Sequence, residues 1–400
     1  MAATYHDPDI PPSTATVSVK VFDTIPAGLH SKVIAPATGM LEPVLPGHES
    51  LAPPVFCFLI EHQTTQKRVL FDLGFRKDLE NCAPPVAAFL GSMMPKLERD
   101  AVDILEGYGV GKDGIEAVIW SHGHVDHTGD MTRFPASTRL VVSKHLVLES
   151  YDTNPGSTLL PSDFTCVLYS GRILCLLKVC SGRPVDKIDF ESQLGGFEAH
   201  DYFGDGSLYL LNAPGVRSLI LMPPHIECLQ HQAGHMCALA RVTPTSFVLM
   251  GADTCHHVGV LRPTDAHHKH FPCPGELLQK TRRSVSHQHF PNAGHGAAFD
   301  LEQHTTPLLQ IGNGPYHADH ALAQSSANKL AVFDGNPDVL VVLAHDSSLL
   351  PFFDDAYPVV LDEWKAKGWK GHTVWSFLEE GNPAFRFDVC ESRGERGVSM

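Results

Sequence analysis

Three histidines and an aspartate fall within six consecutive positions of Ser121-His122-Gly123-His124-Val125-Asp126-His127-Thr128-Gly129-Asp130. This cluster constrains the fold more than any other stretch. Just before it, Ile115-Glu116-Ala117-Val118-Ile119-Trp120 is apolar and β-branched and predicts a buried strand. The cluster therefore sits where a strand ends and the chain turns, and Gly123 and Gly129 are expected to permit the tight backbone. Imidazoles with a carboxylate suit zinc, or iron or manganese. The side chains at 122, 124, 126 and 127 would crowd a single ion, so the spacing points to two ions a few ångströms apart. A fold that serves them must deliver further ligands from distant parts of the chain to the same strand end.

The chain can build such a fold. It has 400 residues, 43% apolar and 19% charged, enough to bury a sizeable core. A formal charge of −15 argues against a nucleic-acid backbone as substrate. No run of 18 apolar residues reads as a membrane span. The polar stretch Met1 to Thr16 has no apolar signal core, so a cytoplasmic protein is expected. Ten cysteines form no CxxC pair and read as reduced thiols. Most of the 25 histidines must be structural or solvent-facing, since a two-metal site needs only a few ligands.

Along the chain, strands are expected at Val17 to Phe22, Phe56 to Glu61 and Arg68 to Asp72, the last two joined by a turn at Thr64-Thr65. A Pro- and Gly-rich connection, from Pro43 to Pro54, is read as a surface connection or a loop over a site. Leu97 to Tyr108 has helical periodicity and Gly109 ends it. Further strands are expected at Arg139 to Val142, Ser207 to Leu211, Ser246 to Met250 and Val339 to Ala344, with a helix over Asp319 to Phe333. Residues 263–315 read as irregular cover, and Trp364, Trp369 and Trp375 as a segment packed on the core. His145, Tyr202 and Phe203 are candidates to face a cleft.

At the histidine cluster, and from about Asp72 to about Asp346, the chain resembles the metallo-β-lactamase-fold hydrolases. Among them it is most similar to the lactonase branch, which opens N-acyl homoserine lactones and similar rings. The resemblance implies an α+β fold, a four-layer αβ/βα sandwich, in one domain over 1–400 with its core at about 17–376. It implies that His122, His124 and His231 hold a first metal, that Asp126, His127 and His345 hold a second, and that Asp253 bridges them. Two zinc ions per chain are expected, with iron or manganese as alternatives. It also makes Asp72, in Asp72-Leu73-Gly74, an orienter of a metal ligand.

Two stretches break the family pattern. In the family, Pro-Gly runs directly into the ligand histidine, as Pro-Gly-His-x-x-Gly-His. Here Val216 to Gln230 separates Ala213-Pro214-Gly215 from His231-Gln232-Ala233-Gly234-His235. Cys166 to Ser181 is a similar Leu-, Val- and Cys-rich stretch. Both are out of keeping with their flanks, which favours translated introns over surface loops. His225 is a weaker substitute for His231.

The implied activity is opening of a lactone or related cyclic ester or amide by a metal-bridging hydroxide, with Asp126 relaying a proton to the leaving group. Acyl-homoserine lactonases commonly carry a tyrosine three residues after the bridging aspartate, aimed at the carbonyl oxygen; here that position is His256. The expected partner is a small ester or lactone, with no nucleic acid and no membrane. Competing readings are a thioester hydrolase of the same fold (glyoxalase II-like or a carrier-protein thioesterase), an iron oxygenase, and a non-catalytic relative.

Overall fold

Alternation along the strands sorts their side chains onto two faces. Val17, Val19 and Val21 enter one apolar cluster while Phe22 enters another; Phe56, Phe58 and Ile60 part in the same way from Cys57 and Leu59. This period of two is what a strand buried on both faces requires.

The computed structural model describes residues 8–33, 35–45, 48–164, 183–215, 234–284, 300–314, 317, 319–353, 358–379 and 381–385. Two sheets carry the fold. In the first, seven strands lie in the spatial order Val359–Val360, Val17–Asp23, Phe56–His62, Arg68–Phe71, Ile115–Ile119, Arg139–Ser143, Val185–Ile188. The pairs at the Val359 end are antiparallel, and from Arg68–Phe71 onward they are parallel. In the second, six strands lie in the order Ser192–Leu194, Phe197–Asp201, Leu208–Asn212, Met236–Thr243, Ser246–Ala252, Val339–Leu343. All of these pairs are antiparallel except the last.

The sheets pack face to face through one cluster that takes Val19, Phe58, Val69 and Ile119 from the first and Leu210, Ala238, Met250 and Val342 from the second. Each outer face is covered by helix. Ala101, Val102, Ile104 and Leu105 of helix Ala101–Gly107 pack on the first sheet. Ala323, Ala327, Leu330 and Phe333 of helix His320–Gly335 pack on the second. The result is the expected four-layer α+β sandwich. Trp364 and Trp375 are buried against it, and Trp369 packs on the inter-sheet cluster.

Several expectations are corrected. The helix expected from Leu97 begins at Ala101, because Asp100 and Asp103 form a reciprocal capping box: each carboxylate accepts the other's backbone N–H at 3.1 Å. The expected irregular cover contains helices Asp265–His270 and Gly275–Ser284. The connection after Asp23 forms two short ladders, Ala35–Pro36 with Ser50–Leu51, and Leu41–Glu42 with Gln310–Ile311. Both family-breaking stretches, 166–181 and 216–230, lie outside the described residues, as does His231. No helix among the described residues is long and apolar enough to cross a membrane.

A buried ion pair ties the C-terminal segment to the second sheet's helix. Arg262 grips Asp334 in a fork, Nε to Oδ2 at 2.6 Å and Nη2 to Oδ1 at 2.9 Å, and its Nη1 donates to the carbonyls of Thr373 and Val374. With both charges satisfied in this way, the pair is tolerated in the interior.

Candidate metal centre

Four strands end at one edge. Arg68–Phe71 leads to Asp72, Ile115–Ile119 to the histidine cluster, Ser246–Ala252 to Asp253 and Val339–Leu343 to His345. Hydrogen bonds stitch these ends across the two sheets, from Met236 N to Ser121 O and from Phe56 N to Ala344 O, each at 2.9 Å. Gly129 turns the chain after the cluster at φ 54°, where a Cβ would lie 2.4 Å from that of Leu73. Gly123, expected to share this role, is not among the positive-φ residues. Of the three non-glycine residues with left-handed backbone among the described residues, two are here, Asp72 at φ 62° within the site and Ala252 at φ 44° next to it. Strain of this kind persists where surrounding contacts enforce it.

The carboxylate of Asp253 lies at the middle. Its Oδ2 is 3.5 Å from His122 Nε2, 3.5 Å from His124 Nδ1 and 3.4 Å from His256 Nε2. Its Oδ1 is 3.1 Å from both His127 Nε2 and His345 Nε2. Asp126 Oδ2 joins the second set, 3.5 Å from His345 Nε2 and 3.9 Å from His127 Nε2. Three groups thus have ligand atoms close enough to share an ion: His122, His124 and Asp253; Asp126, His127 and His345; and Asp253, His256 and His345.

The opposite ring nitrogens are held by the scaffold. His127 Nδ1 donates to Asp72 Oδ2 at 2.8 Å, and His345 Nδ1 donates to the Pro54 carbonyl at 2.8 Å. His122 Nδ1 lies 2.9 Å from Ser121 Oγ, which itself donates to Asp72 Oδ2 at 2.7 Å. Asp72 therefore orients His127 directly and His122 through Ser121, one histidine from each set. These bonds fix the tautomers and leave Nε2 lone pairs facing the carboxylates.

Lone pairs facing a carboxylate need a cation or a proton between them, and that is the sense in which these residues fit a metal. The Nε2 of His127 and the Oδ1 of Asp253 are buried without a hydrogen-bond partner. Burial pulls the His345 imidazole down, but the Asp253 and Asp126 carboxylates outweigh it and lift it to about 9. His127 is likewise raised by Asp253 and Asp72 against burial, whereas burial, His124 and His127 push His122 well down. Without metal, then, neighbouring imidazoles compete for protons; divalent ions would supply the charge that all of the lone pairs face.

Comparison with known proteins decides the family. Residues 52–165 match the Metallo-beta-lactamase superfamily. "Metallo-hydrolase mfmC" of Annulohypoxylon moriforme is 34% identical over 410 residues, covering 94% of this chain and 90% of its own. The chain belongs to the metallo-β-lactamase superfamily. Another relative, "Gamma-lactamase FDB1" of Fusarium pseudograminearum (strain CS3096), is 31% identical, with 94% and 84% of the two chains covered. "Cytochrome P450 monooxygenase mpaDE" of Penicillium roqueforti (strain FM164) is 37% identical over 93% of this chain. This chain spans only 38% of that relative's length. Among solved structures, a quorum-quenching N-acyl homoserine lactone lactonase is 16% identical, with a TM-score of 0.48 over 87% of this chain and 99% of its own.

Two histidines of this metallo-β-lactamase-superfamily chain were not singled out from sequence. His235 is fully buried, donates from Nδ1 to the Ala213 carbonyl at 3.0 Å, and accepts at Nε2 from Asp253 N at 3.1 Å. It therefore fixes the backbone of the central aspartate. Burial keeps it neutral, its imidazole pushed down to about 3. Its signal was the Gly234-His235 that closes the interrupted run. His317 is the other; burial and the neighbouring His256 and His320 push it down to about 3. Among the expected cleft residues, His145 is exposed and stacks on Phe190 instead. Tyr202 and Phe203 pack near His62, at the opposite end of the strand whose first residue, Phe56, borders the site.

Proposed function

We propose that the protein is a two-metal hydrolase that opens a lactone or related cyclic ester or amide. The observation that carries this reading is the division of Asp253, one carboxylate oxygen toward His122 and His124 and the other toward His127 and His345. On this reading His122, His124 and His231 would hold one ion, Asp126, His127 and His345 would hold the other, and Asp253 would serve both. Zinc suits the nitrogen-rich set, with iron or manganese as alternatives. Bound there, the ions would supply Lewis acidity and an activated water.

The chain's own groups do the rest. Asp126 is half-buried, so it meets both the ligand cluster and the substrate side, and it carries a proton toward the leaving group. His256 is half-buried, and its Nδ1 has no hydrogen-bond partner among the described residues. It stands where the lactonases place a tyrosine, and donates to the acyl oxygen. A relative named a γ-lactamase supports keeping cyclic amides beside lactones in the substrate class.

A panel of lactones, lactams and thioesters, assayed with zinc-loaded protein, tests this. Opening of lactones or lactams is expected. Activity on thioesters alone would contradict the reading.

A further inference from the structure

One peptide group joins His345, assigned above to the second ion, to the end of a strand in the first sheet. His345 Nδ1 donates to the Pro54 carbonyl at 2.8 Å. The other end of that same peptide, the N–H of Val55, donates to Asp23 Oδ1 at 3.0 Å. A peptide group is planar and stiff, so fixing its N–H fixes the direction of its carbonyl. Pro53 and Pro54 stiffen the chain that leads to it, each with its φ locked.

Asp23 is itself firmly held. It ends strand Val17–Asp23, its side chain is buried, and its Oδ1 also accepts from Ile25 N at 2.8 Å. Its Oδ2 meets His30 Nε2 at 2.6 Å. His30 Nδ1 faces the Ala27 carbonyl at 3.1 Å, so both ring nitrogens face oxygen, and the ring donates to both only as the imidazolium. Burial opposes that charge, but the Asp23 carboxylate and the Ala27 carbonyl outweigh it and raise the His30 pKa. The next peptide is pinned as well: the Val55 carbonyl accepts from Thr24 N at 3.1 Å, and Phe56 N donates to the Ala344 carbonyl at 2.9 Å. The strand end that carries His345 is therefore tied to the strand end that carries Asp23.

We propose that Asp23 is a positioning residue of the second metal site, aiming and polarising His345 through the Pro54–Val55 peptide, with His30 holding the carboxylate in place. A carboxylate bonded to a metal-binding histidine fixes its tautomer and raises its basicity. Asp72 is placed to do this for His127 directly, at 2.8 Å. Asp23 does it for His345 with one amide between. Hydrogen bonds in series polarise one another in a low-dielectric interior, so a charged acceptor on the Val55 N–H makes the Pro54 carbonyl a stronger acceptor for the ring. This inference rests on the two-metal reading and adds to it a residue outside the ligand set.

The test is the zinc affinity of the full-length protein, measured ion by ion in competition with a chelator. Asp23→Ala should weaken one of the two ions by about tenfold to a hundredfold, the usual cost of losing a group that orients a ligand, and leave the other within about twofold. Asp23→Asn keeps an oxygen for Val55 N and should restore most of the loss. In His345→Ala, where the ligand is already gone, adding Asp23→Ala should cost the zinc that remains no more than about twofold, because the two residues act along one path. Should Asp23→Ala fail to fold, His30→Ala carries the same comparison: it leaves the carboxylate in place but unheld, and should weaken the same ion, again with no effect once His345 is gone. Unchanged affinities, an Asn variant as weak as Ala, or an equal loss with His345 already removed overturns this inference alone. A wild type that takes up fewer than two zinc ions overturns the two-metal reading and this inference with it.

Discussion

At the scale of single residues, the chemistry depends on which side chains face Asp253. His256 has two roles open to it by distance, since its Nε2 lies 3.4 Å from Asp253 Oδ2 in a group that also contains His345. The reading adopted makes it a donor to substrate. His256→Ala should therefore keep both metals and lose about a hundredfold in kcat, the usual cost of one oxyanion donor. Loss of an ion, measured by elemental analysis, would make it a ligand instead. The cluster His122, His124, Asp126 and His127 was legible because its donor side chains are neighbours in sequence, and Asp253 and His345, which the resemblance names, each lie just beyond an apolar strand. His317 was not legible. It lies in a Gly- and Pro-rich connection without periodicity, where Gly312 and Gly314 pack closely on Gly39.

Among the elements, the strands were read well where their two faces alternate or where turn residues bound them. Met236–Thr243 was missed because it is apolar almost throughout and follows directly on the interrupted Pro-Gly run, which masks its start. The pairing on either side of that interruption is nevertheless intact: Ala213 N donates to the His235 carbonyl at 3.0 Å, and the strands continue in register from Asn212 opposite Met236. The scaffold that would aim a histidine directly after Gly215 is therefore present. Deleting Val216 to Gln230, so that Gly215 meets His231, should raise metal content per chain and the melting temperature, because a tight turn removes the closure entropy of a long loop. A deletion that fails to fold, or binds no more metal than the full chain, would make the stretch a working part of the protein.

On the scale of the whole molecule, buried charge links the C-terminal segment to the sandwich and makes stability depend on pH. Lys370 is buried, and its ammonium donates to the carbonyls of Asn336 (2.7 Å) and Val339. Burial pushes its pKa down to about 7 despite Asp334 nearby. An unfolded lysine titrates near 10.4, so between about 7 and about 10 the unfolded chain binds the extra proton and stability rises with pH. Below about 7 the cost of burying the charge is present in full. A formal charge of −15 adds repulsion in both forms, so the variant difference is the clean readout. Relative to Lys370→Met, wild type should gain melting temperature as pH is raised through this window; parallel curves would refute the assignment.

The central claim is that Asp253 joins two metal sites formed at the ends of strands from both sheets. Metal per chain, measured on purified, zinc-loaded wild type and Asp253→Ala, tests it most directly. The account predicts two ions in the wild type, no more than one in the variant, and loss of ring hydrolysis with it. Two ions retained in Asp253→Ala with normal turnover would contradict it.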